Sequence, residues 1–232
     1  MISAIVPAYN EEGCIIEFAA RLYISLKTLK EPFEIIFMVG GTDNTHSLLV
    51  DWREKLECSN IWIIYEKERG LGTAITKGIA FIHRHADWTL TIDADLQQLP
   101  EEIRLLWKRR HFADLIIGSK GKIDSRKWYK RVLSKLLYGL YRYTHGIPIR
   151  DMGSNFRLYS RTLLTYLPLE EAPLGYKFQQ WAILKAWSAG FEIIEVPTTF
   201  NPRTTGTSKL SIWSEVWERL ISMFRLSGLR IW

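Results

Sequence analysis

Short apolar runs alternate with helical patterns along the first half of the chain, and this alternation restricts the possible folds more than any other feature of the sequence. Hydrophobic periodicity predicts strands at residues 3–6, 33–39, 61–65 and 90–93. It predicts helices over residues 12–29, after residue 43 and after the glycine-rich turn at 69–73. Strands and helices that alternate at this spacing form a parallel sheet with helices on both faces, so we expect an α/β domain.

The strand predicted at residues 90–93 runs into two carboxylates, Asp93 and Asp95. Residues i and i+2 of an extended strand point to the same side, so both carboxylates could face one cation, with Gln97 adding an amide oxygen. Oxygen ligands suit Mg²⁺ or Mn²⁺, which bind through one or two carboxylates and complete their shell with water and substrate phosphates. The alternative is that the two carboxylates cap a helix that begins near Pro100.

Polar or glycine-rich loops follow the first, second and fourth predicted strands, at residues 9–11, 40–43 and 93–95. Asp43 in the second loop is placed to cap the next helix. Ligands of α/β sheets bind beyond the carboxyl ends of the strands. We therefore expect these loops to meet on one rim of the sheet and to form a binding site there.

The second half of the chain continues this pattern less regularly. Strands are predicted at residues 115–117 and 191–196, the latter closed by Pro197. Between them, a basic stretch from residue 120 leads into an apolar stripe of helical period from residue 128. This helix presents either a solvated basic face or a phosphate-binding edge against a lipid. Basic and aromatic residues also interleave at 126–143, so a nucleic-acid binder is a hypothesis from another class.

Length and composition indicate one globular domain. The 232 residues can bury one substantial core, and 47% of them are hydrophobic. Lys and Arg exceed Asp and Glu by 31 to 25, and the resulting net charge of +6 favours phosphate-bearing substrates or an anionic membrane surface. A modestly basic soluble enzyme has the same balance. We expect one domain over residues 1–210 and a C-terminal amphipathic helix over residues 211–232.

Several features bear on cellular location. The two cysteines form neither a disulfide framework nor a zinc-ligand spacing, which indicates a reducing compartment. The N-terminus lacks the pattern of a signal peptide, and no run of about eighteen apolar residues predicts a transmembrane helix. Trp213, Trp217 and Arg225 are typical of a helix that lies in a bilayer interface, although the same stripe fits a helix packed on its own core. We expect a peripheral protein on the cytoplasmic face of a membrane.

Motifs along nearly the whole chain resemble those of family 2 inverting glycosyltransferases, which have the GT-A (Rossmann-like) fold, and especially those of dolichyl-phosphate mannose synthases and related polyprenyl-phosphate hexosyltransferases. They are VPAYNEE at 6–12, RGLG at 69–72, DADLQQLPEE at 93–102, IGSK at 117–120, GSNFRLY at 153–159, EVPTTF at 195–200 and RTTGTSKL at 203–210. The resemblance implies metal-dependent, inverting transfer of mannose from GDP-mannose to a polyprenyl or dolichyl phosphate, with no nucleic acid as partner. UDP-glucose as donor, or a sugar hydroxyl as acceptor, are the alternatives within the family.

The resemblance also implies a role for each matching residue. Donor binding is implied for Pro7, Ala8, Tyr9, Glu11, Arg69, Lys77, Asp93, Ala94, Asp95, Arg203 and Lys209. The divalent cation, Mg²⁺ or Mn²⁺, would be held by Asp93, Asp95 and Gln97. The acceptor phosphate would be bound by Lys120, Lys130, Arg131 and Ser134. Direct catalytic roles are implied for Asp95, Lys120, Arg131 and Ser134.

The chain departs from the family pattern in ways that bear on specificity. The aspartate pair expected after the second strand is absent from positions 38–40, and only Asp43 remains, which leaves the contacts to the base and ribose, and so the choice of GDP or UDP, open. Lys120 replaces an arginine and offers a point charge without the bidentate fork, so its grip on phosphate should be looser. Trp181 replaces a glutamate, so an acidic contact near the acceptor is expected to be missing.

Overall fold

The computed structural model describes residues 1–124 and 146–202, and between these ranges Val132, Gly139 and Tyr143. The strands are β1 (Ile2–Tyr9), β2 (Phe33–Gly40), β3 (Ile61–Tyr65), β4 (Trp88–Thr91), β5 (Leu115–Asp124), β6 (Arg157–Ser160) and β7 (Ile193–Phe200). The helices are α1 (Ile15–Thr28), α2 (Thr45–Leu56), α3 (Leu71–Ile79), α4 (Ile103–Trp107), α5 (Arg161–Tyr166) and α6 (Phe178–Ser188). Short 3-10 turns lie at Pro100–Glu102 and Leu169–Glu171.

The strands form one seven-stranded sheet in the order β3-β2-β1-β4-β6-β5-β7. The first four strands are parallel, β6 runs antiparallel to both of its neighbours, and β7 is parallel to β5. The predicted, mostly parallel α/β architecture is therefore confirmed. After β1 the chain moves outward to β2 and β3 and then returns to β4 on the other side of β1. This change of direction creates a crevice at the carboxyl ends of β1 and β4, where α/β sheets bind ligands.

Alternate residues of the central strands are buried on opposite faces of the sheet. Val6 and Phe37 belong to the larger apolar core, which also contains the buried faces of α1 and α4. Ile5 and Met38 belong to the cluster that contains Ala74 of α3. Burial on both faces explains why these strands read as continuous apolar runs in the sequence, and the packing brings their polar carboxyl ends to one edge.

The prediction that Pro197 closes the last strand is wrong, because β7 continues through it to Phe200. Among the described strands, β7 pairs only with β5, and Pro197 is exposed on this outer strand. A residue without an N–H group is tolerated on an edge strand because no neighbour requires the missing hydrogen bond.

Some predictions concern residues that the structure does not describe. The basic helix expected from residue 128, the domain boundary expected at residue 210 and the C-terminal amphipathic helix over residues 211–232 lie outside the described ranges. Over the ranges that are described, no helix is both long enough and apolar enough to cross a bilayer.

Candidate active site

A cavity of about 190 Å³ opens at the carboxyl ends of the parallel strands. The loops after β1 and β4 and the end of β2, which the sequence predicted to meet, all contribute to its wall, together with the loop after β3. Its lining residues are Pro7, Ala8, Tyr9, Glu11, Met38, Gly40, Glu66, Glu68, Arg69, Gly70, Leu71, Ala74, Asp93, Ala94, Asp95 and Tyr176. The structure thus gathers most of the residues expected to bind the donor. Their contact with a nucleotide stays a prediction.

Asp95 lies in a turn directly after β4. Its side chain is buried, and one carboxylate oxygen accepts a hydrogen bond from the Gln97 N–H at 3.1 Å. Leu99, and neither Asp93 nor Asp95, precedes the 3-10 turn at Pro100–Glu102, and no side chain caps that turn. The alternative that these carboxylates cap the following helix is therefore wrong.

Two buried side-chain amides, those of Asn155 and Gln179, orient Asp93. The Asn155 side-chain N–H donates to Asp93 Oδ1 at 2.9 Å, and the Gln179 amide in turn donates to Asn155 Oδ1 at 3.3 Å. The Thr91 hydroxyl donates to the Asn155 backbone carbonyl at 2.7 Å. These neutral partners fix the direction of the Asp93 carboxylate. No role was predicted for Asn155 or Gln179, although Asn155 lies within the GSNFRLY motif.

Arg157 holds the loop that carries Asn155. This side chain is fully buried and donates to the backbone carbonyls of Ser154 at 2.7 Å, Gln179 at 2.8 Å and Met152 at 3.1 Å. A buried guanidinium is stable only when its N–H groups are satisfied. Arg157 therefore joins the 152–155 loop to the start of α6 behind the two aspartates.

An aromatic and cationic surface forms another part of the wall. The Arg69 guanidinium lies over the Tyr9 ring at 5.0 Å from its centre. The glycine-rich turn that follows Arg69 packs against the loop at 173–175, where a Cβ atom on Gly72 would lie 1.9 Å from the Pro173 carbonyl oxygen. Only glycine permits this approach, and the loop that it admits carries Tyr176 into the cavity wall.

The oxygen ligands available in the cavity suit a small, hard cation. Asp93 and Asp95 supply carboxylate oxygens on one cavity wall. Among the described residues, no group of at least three His, Cys, Asp or Glu side chains converges to form a closed metal cage. Mg²⁺ and Mn²⁺ suit such an open site, since they retain water and substrate phosphates as ligands.

Gln97, predicted as a third metal ligand, is not among the residues that line the cavity. Its side-chain amide donates to the Asn201 carbonyl at 3.3 Å, and the Asn201 N–H donates to the Gln97 carbonyl at 2.8 Å. In this structure Gln97 ties the turn after β4 to the end of β7. Its role as a ligand stays a prediction.

Lys77 also lies outside the cavity wall. Its ammonium is 3.0 Å from Glu66 Oε2 and 3.2 Å from Glu68 Oε2, and the hydrogen bond to Glu66 raises the pKa of Lys77 above its ordinary value. The contact of Lys77 with the donor therefore stays a prediction, and in this structure its partners are two carboxylates that line the cavity.

Lys120, predicted to bind the acceptor phosphate, lies on β5. Its ammonium is 3.8 Å from Asp151 Oδ2 and lies over the Phe200 ring at 4.6 Å. The Asp151 N–H donates to Glu195 Oε1 at 2.6 Å, and burial raises the pKa of Glu195 above its ordinary value. The other residues predicted to bind acceptor or diphosphate lie outside the described residues: Lys130, Arg131, Ser134, Arg203 and Lys209.

Trp181 is a core residue of α6. It is buried and packs against Phe178 with 5.5 Å between ring centres, and it is not among the residues that line the cavity. The departure from the family at this position therefore adds apolar packing to another buried cluster, which also contains Leu115, Tyr159 and Ile193 of the sheet.

Comparison with known proteins places these observations in a family. The model of Glycosyl transferase family 2 matches residues 3–167, well over half of the chain. The chain is 29% identical over 215 residues to polyprenol monophosphomannose synthase of Mycolicibacterium smegmatis, an alignment that covers 89% of this chain and 80% of the relative. These matches confirm the resemblance that the motifs indicated.

Solved structures share the fold. Glucosyl-3-phosphoglycerate synthase of Mycobacterium tuberculosis in complex with Mn²⁺, UDP and phosphoglyceric acid superimposes with a TM-score of 0.74 over 98% of this chain and 78% of that one, at 18% identity. The same enzyme with Mg²⁺ and UDP gives a TM-score of 0.72 over 96% of this chain and 79% of that one, again at 18% identity. At this identity the similarity shows the fold alone.

Proposed function

Because the chain belongs to glycosyl transferase family 2, we propose that it transfers mannose from GDP-mannose to a polyprenyl or dolichyl phosphate, with inversion at the anomeric carbon and with Mg²⁺ or Mn²⁺ in the site. The observation that carries this assignment is the carboxylate pair of Asp93 and Asp95 in the same cavity as Tyr9 and Arg69. Similarity to polyprenol monophosphomannose synthase supports both the sugar and the lipid phosphate.

The proposed reaction bonds an oxygen of the acceptor phosphate to the anomeric carbon and breaks the bond between that carbon and the diphosphate oxygen. A phosphate monoester has a second pKa of about 6, so the acceptor is already largely anionic and needs no strong base. The barrier arises because two anions approach each other and the departing diphosphate gains negative charge. A bound divalent cation supplies Lewis-acid neutralisation of that charge.

The protein's own part is to hold these anions in place. Asp93 and Asp95 would hold the cation, and the amide of Asn155 fixes the direction of Asp93. Lys120, with Lys130 or Arg131 and Ser134, would position the acceptor phosphate for in-line attack. Arg203 and Lys209 would contact the diphosphate. We propose that this takes place on the cytoplasmic face of a membrane, which the lipid acceptor and the net charge of +6 support.

A transfer assay tests the donor and the acceptor together. Purified protein with Mg²⁺ or Mn²⁺ is supplied with GDP-mannose or UDP-glucose and a polyprenyl phosphate, and the lipid product is identified by mass spectrometry. We expect a mannosylated lipid phosphate from GDP-mannose and its loss on chelation of the metal. A product formed only from UDP-glucose would show that the donor is UDP-glucose and not GDP-mannose. A product formed only with a sugar hydroxyl as acceptor would contradict the assignment of a lipid phosphate as acceptor.

A further inference from the structure

A carboxylate outside the metal pair lines the cavity at its other end. Glu66 follows β3, and in the sheet order β3-β2-β1-β4 it is three strands away from the loop that carries Asp93 and Asp95. Neighbouring strands lie about 4.8 Å apart, so the two sites are separated by roughly 14 Å across the sheet. This span is comparable with the length of a nucleoside diphosphate. A donor whose diphosphate lies at Asp93 and Asp95 would therefore direct its nucleoside towards Glu66.

The backbone explains why the acidic group at this end comes from β3. The Glu66 N–H donates to the Val39 carbonyl at 2.7 Å, which places Glu66 beside Gly40 in the neighbouring strand. A Cβ atom on Gly40 would lie 3.0 Å from the Glu66 carbonyl oxygen and 3.1 Å from Cδ2 of the Tyr9 ring. Both distances are tighter than ordinary contact, so a side chain at position 40 has little room. No acidic residue of β2 lines the cavity, whereas Glu66, directly after β3, does.

The Glu66 carboxylate is held in place by a backbone N–H group and a lysine of the same chain. The Glu68 N–H donates to Glu66 Oε1 at 2.8 Å, and the Lys77 ammonium lies 3.0 Å from Glu66 Oε2. Burial opposes ionisation of Glu66, but the Glu68 N–H and the Lys77 ammonium outweigh it and lower the pKa below its ordinary value. The side chain is 12% exposed, whereas that of Glu68 is 67% exposed. Glu66 is thus an oriented acceptor, and Glu68 is a solvated one.

We propose that Glu66 recognises the nucleoside of the donor by accepting hydrogen bonds from its N–H or O–H groups. The inference rests on the proposed function and deepens it. Guanine offers an adjacent N–H and NH₂ group, and ribose offers adjacent hydroxyls; either pair matches a carboxylate. The Tyr9 and Arg69 surface on the same wall provides a face on which the base stacks. Lys77 becomes a positioning residue that acts through Glu66.

Isothermal titration calorimetry tests this assignment with GDP, UDP and inorganic pyrophosphate, each with Mg²⁺. In Glu66→Gln, one acceptor oxygen becomes an NH₂ donor that faces the donors of the nucleoside. A hydrogen bond to a charged group contributes enough that we expect nucleotide Kd to rise about 10- to 100-fold, with pyrophosphate Kd unchanged. Glu171→Gln is the matched control, since Glu171 also binds a lysine ammonium, that of Lys185 at 3.0 Å, but lies outside the cavity wall.

The pattern of losses identifies the group that Glu66 contacts. Weaker binding of GDP alone assigns the contact to guanine, and an equal loss for GDP and UDP assigns it to the ribose. Unchanged Kd values for both nucleotides in Glu66→Gln would overturn the inference. If the unaltered protein binds neither nucleotide, the proposed function itself fails. That result is distinct from a failure of the inference about Glu66, in which the unaltered protein and Glu66→Gln bind nucleotide equally well.

A second pair of variants separates recognition from a structural role. Lys77→Met should weaken nucleotide binding less than Glu66→Gln does, and Lys77→Arg should restore it, because arginine retains the charge that holds the carboxylate. Glu66→Asp keeps the charge but shortens the side chain by one methylene, so it should also weaken nucleotide binding. This variant replaces Glu66→Gln in the test if Glu66→Gln does not fold. Lys77 variants that bind nucleotide like the unaltered protein would show that Lys77 does not position Glu66.

Discussion

The two ends of the cavity are built from different interactions. At one end, Asp95 is only 5% exposed and Asp93 receives a hydrogen bond from the buried amide of Asn155. At the other, Glu66 is held by Lys77, whose side chain is 44% exposed. Buried hydrogen bonds between neutral and charged groups are little affected by salt, whereas ion pairs near the surface are screened. The first end is therefore suited to exact positioning, and the second to adjustable recognition.

This difference matches the demands of the proposed reaction. Stabilising a departing diphosphate requires donors and carboxylates that do not reorganise as charge develops. Selecting a nucleoside requires only a difference in affinity, and that can be changed by altering a single acceptor. We infer that the end with Asp93 and Asp95 determines the rate and that the end with Glu66 determines the affinity for the nucleoside of the donor. The following experiments test this division, beginning with the largest expected effect.

Replacing Asp95 should affect the rate most. Asp95→Asn removes a carboxylate from the proposed cation site, where metal-ion stabilisation is expected to be worth several kcal/mol, so we expect turnover to fall about 10³-fold or more. Turnover is measured in the lipid-product assay, and folding by circular dichroism. Asp51→Asn, an exposed substitution on α2, is the control and should be inert. Full activity in Asp95→Asn would rule out the metal role.

Replacing Arg157 should affect stability most. Arg157→Met leaves the carbonyls of Met152, Ser154 and Gln179 without their buried donor. Unsatisfied buried groups of this kind should lower the free energy of unfolding by about 3 kcal/mol or more. For a chain of this size that corresponds to a fall in Tm of roughly 6–12 °C, measured by calorimetry. The exposed Arg104→Met should leave Tm nearly unchanged. A similar Tm for both variants would show that the buried guanidinium does not stabilise this loop.

Replacing Asn155 should weaken metal binding at Asp93 and Asp95 without unfolding the protein. Asn155→Ala removes the group that orients Asp93, and loss of such a contact behind a metal ligand typically costs about 10- to 100-fold in metal affinity or activity. The concentration of Mn²⁺ required for half-maximal activity should rise accordingly. Asn60→Ala removes an amide that donates to the Phe33 carbonyl at 3.0 Å, at the amino ends of β2 and β3 and so at the opposite edge of the sheet from the cavity, and should not change this requirement. An unaltered Mn²⁺ requirement in Asn155→Ala would show that Asn155 is not the group that orients Asp93.

The smallest expected effect is the dependence of the Glu66 ion pair on pH and salt. The folded protein lowers the pKa of Glu66, while the unfolded chain has the ordinary value of about 4.3. Glu66 therefore contributes stability above that ordinary value, and the contribution is lost as pH falls through the folded pKa. Urea unfolding should show a deficit in Glu66→Gln of about 1 kcal/mol or less at pH 7.

The same titration separates the two ends of the cavity. The deficit in Glu66→Gln should shrink towards zero as the pH is lowered into the range where the carboxyl protonates, and it should also shrink in high salt. The fold increase in the Mn²⁺ requirement of Asn155→Ala, by contrast, should not depend on salt. A deficit in Glu66→Gln that persists in acid and high salt would show that packing, and not charge, holds this end.

Much of the fold was predictable because local pattern and tertiary burial agree. The strand predicted at 61–65 matches β3, and the one predicted at 33–39 falls one residue short of β2. The error at Pro197 arose because sequence does not show whether a strand is central or at an edge. The positions of Asn155 and Glu66 relative to Asp93 were not predictable, since they depend on how strands separated along the chain pair in the sheet.

The sequence by itself determined the alternation of strands and helices, the convergence of the loops that follow them, and the family to which the chain belongs. These follow from periodicity and from motifs, both of which are local. Only the tertiary structure decided that Asn155 supports Asp93, that Gln97 joins two strand ends and that Glu66 carries the acidic group at the far end of the cavity. Such contacts depend on strand order and on close approaches like that at Gly40, which a linear pattern does not contain.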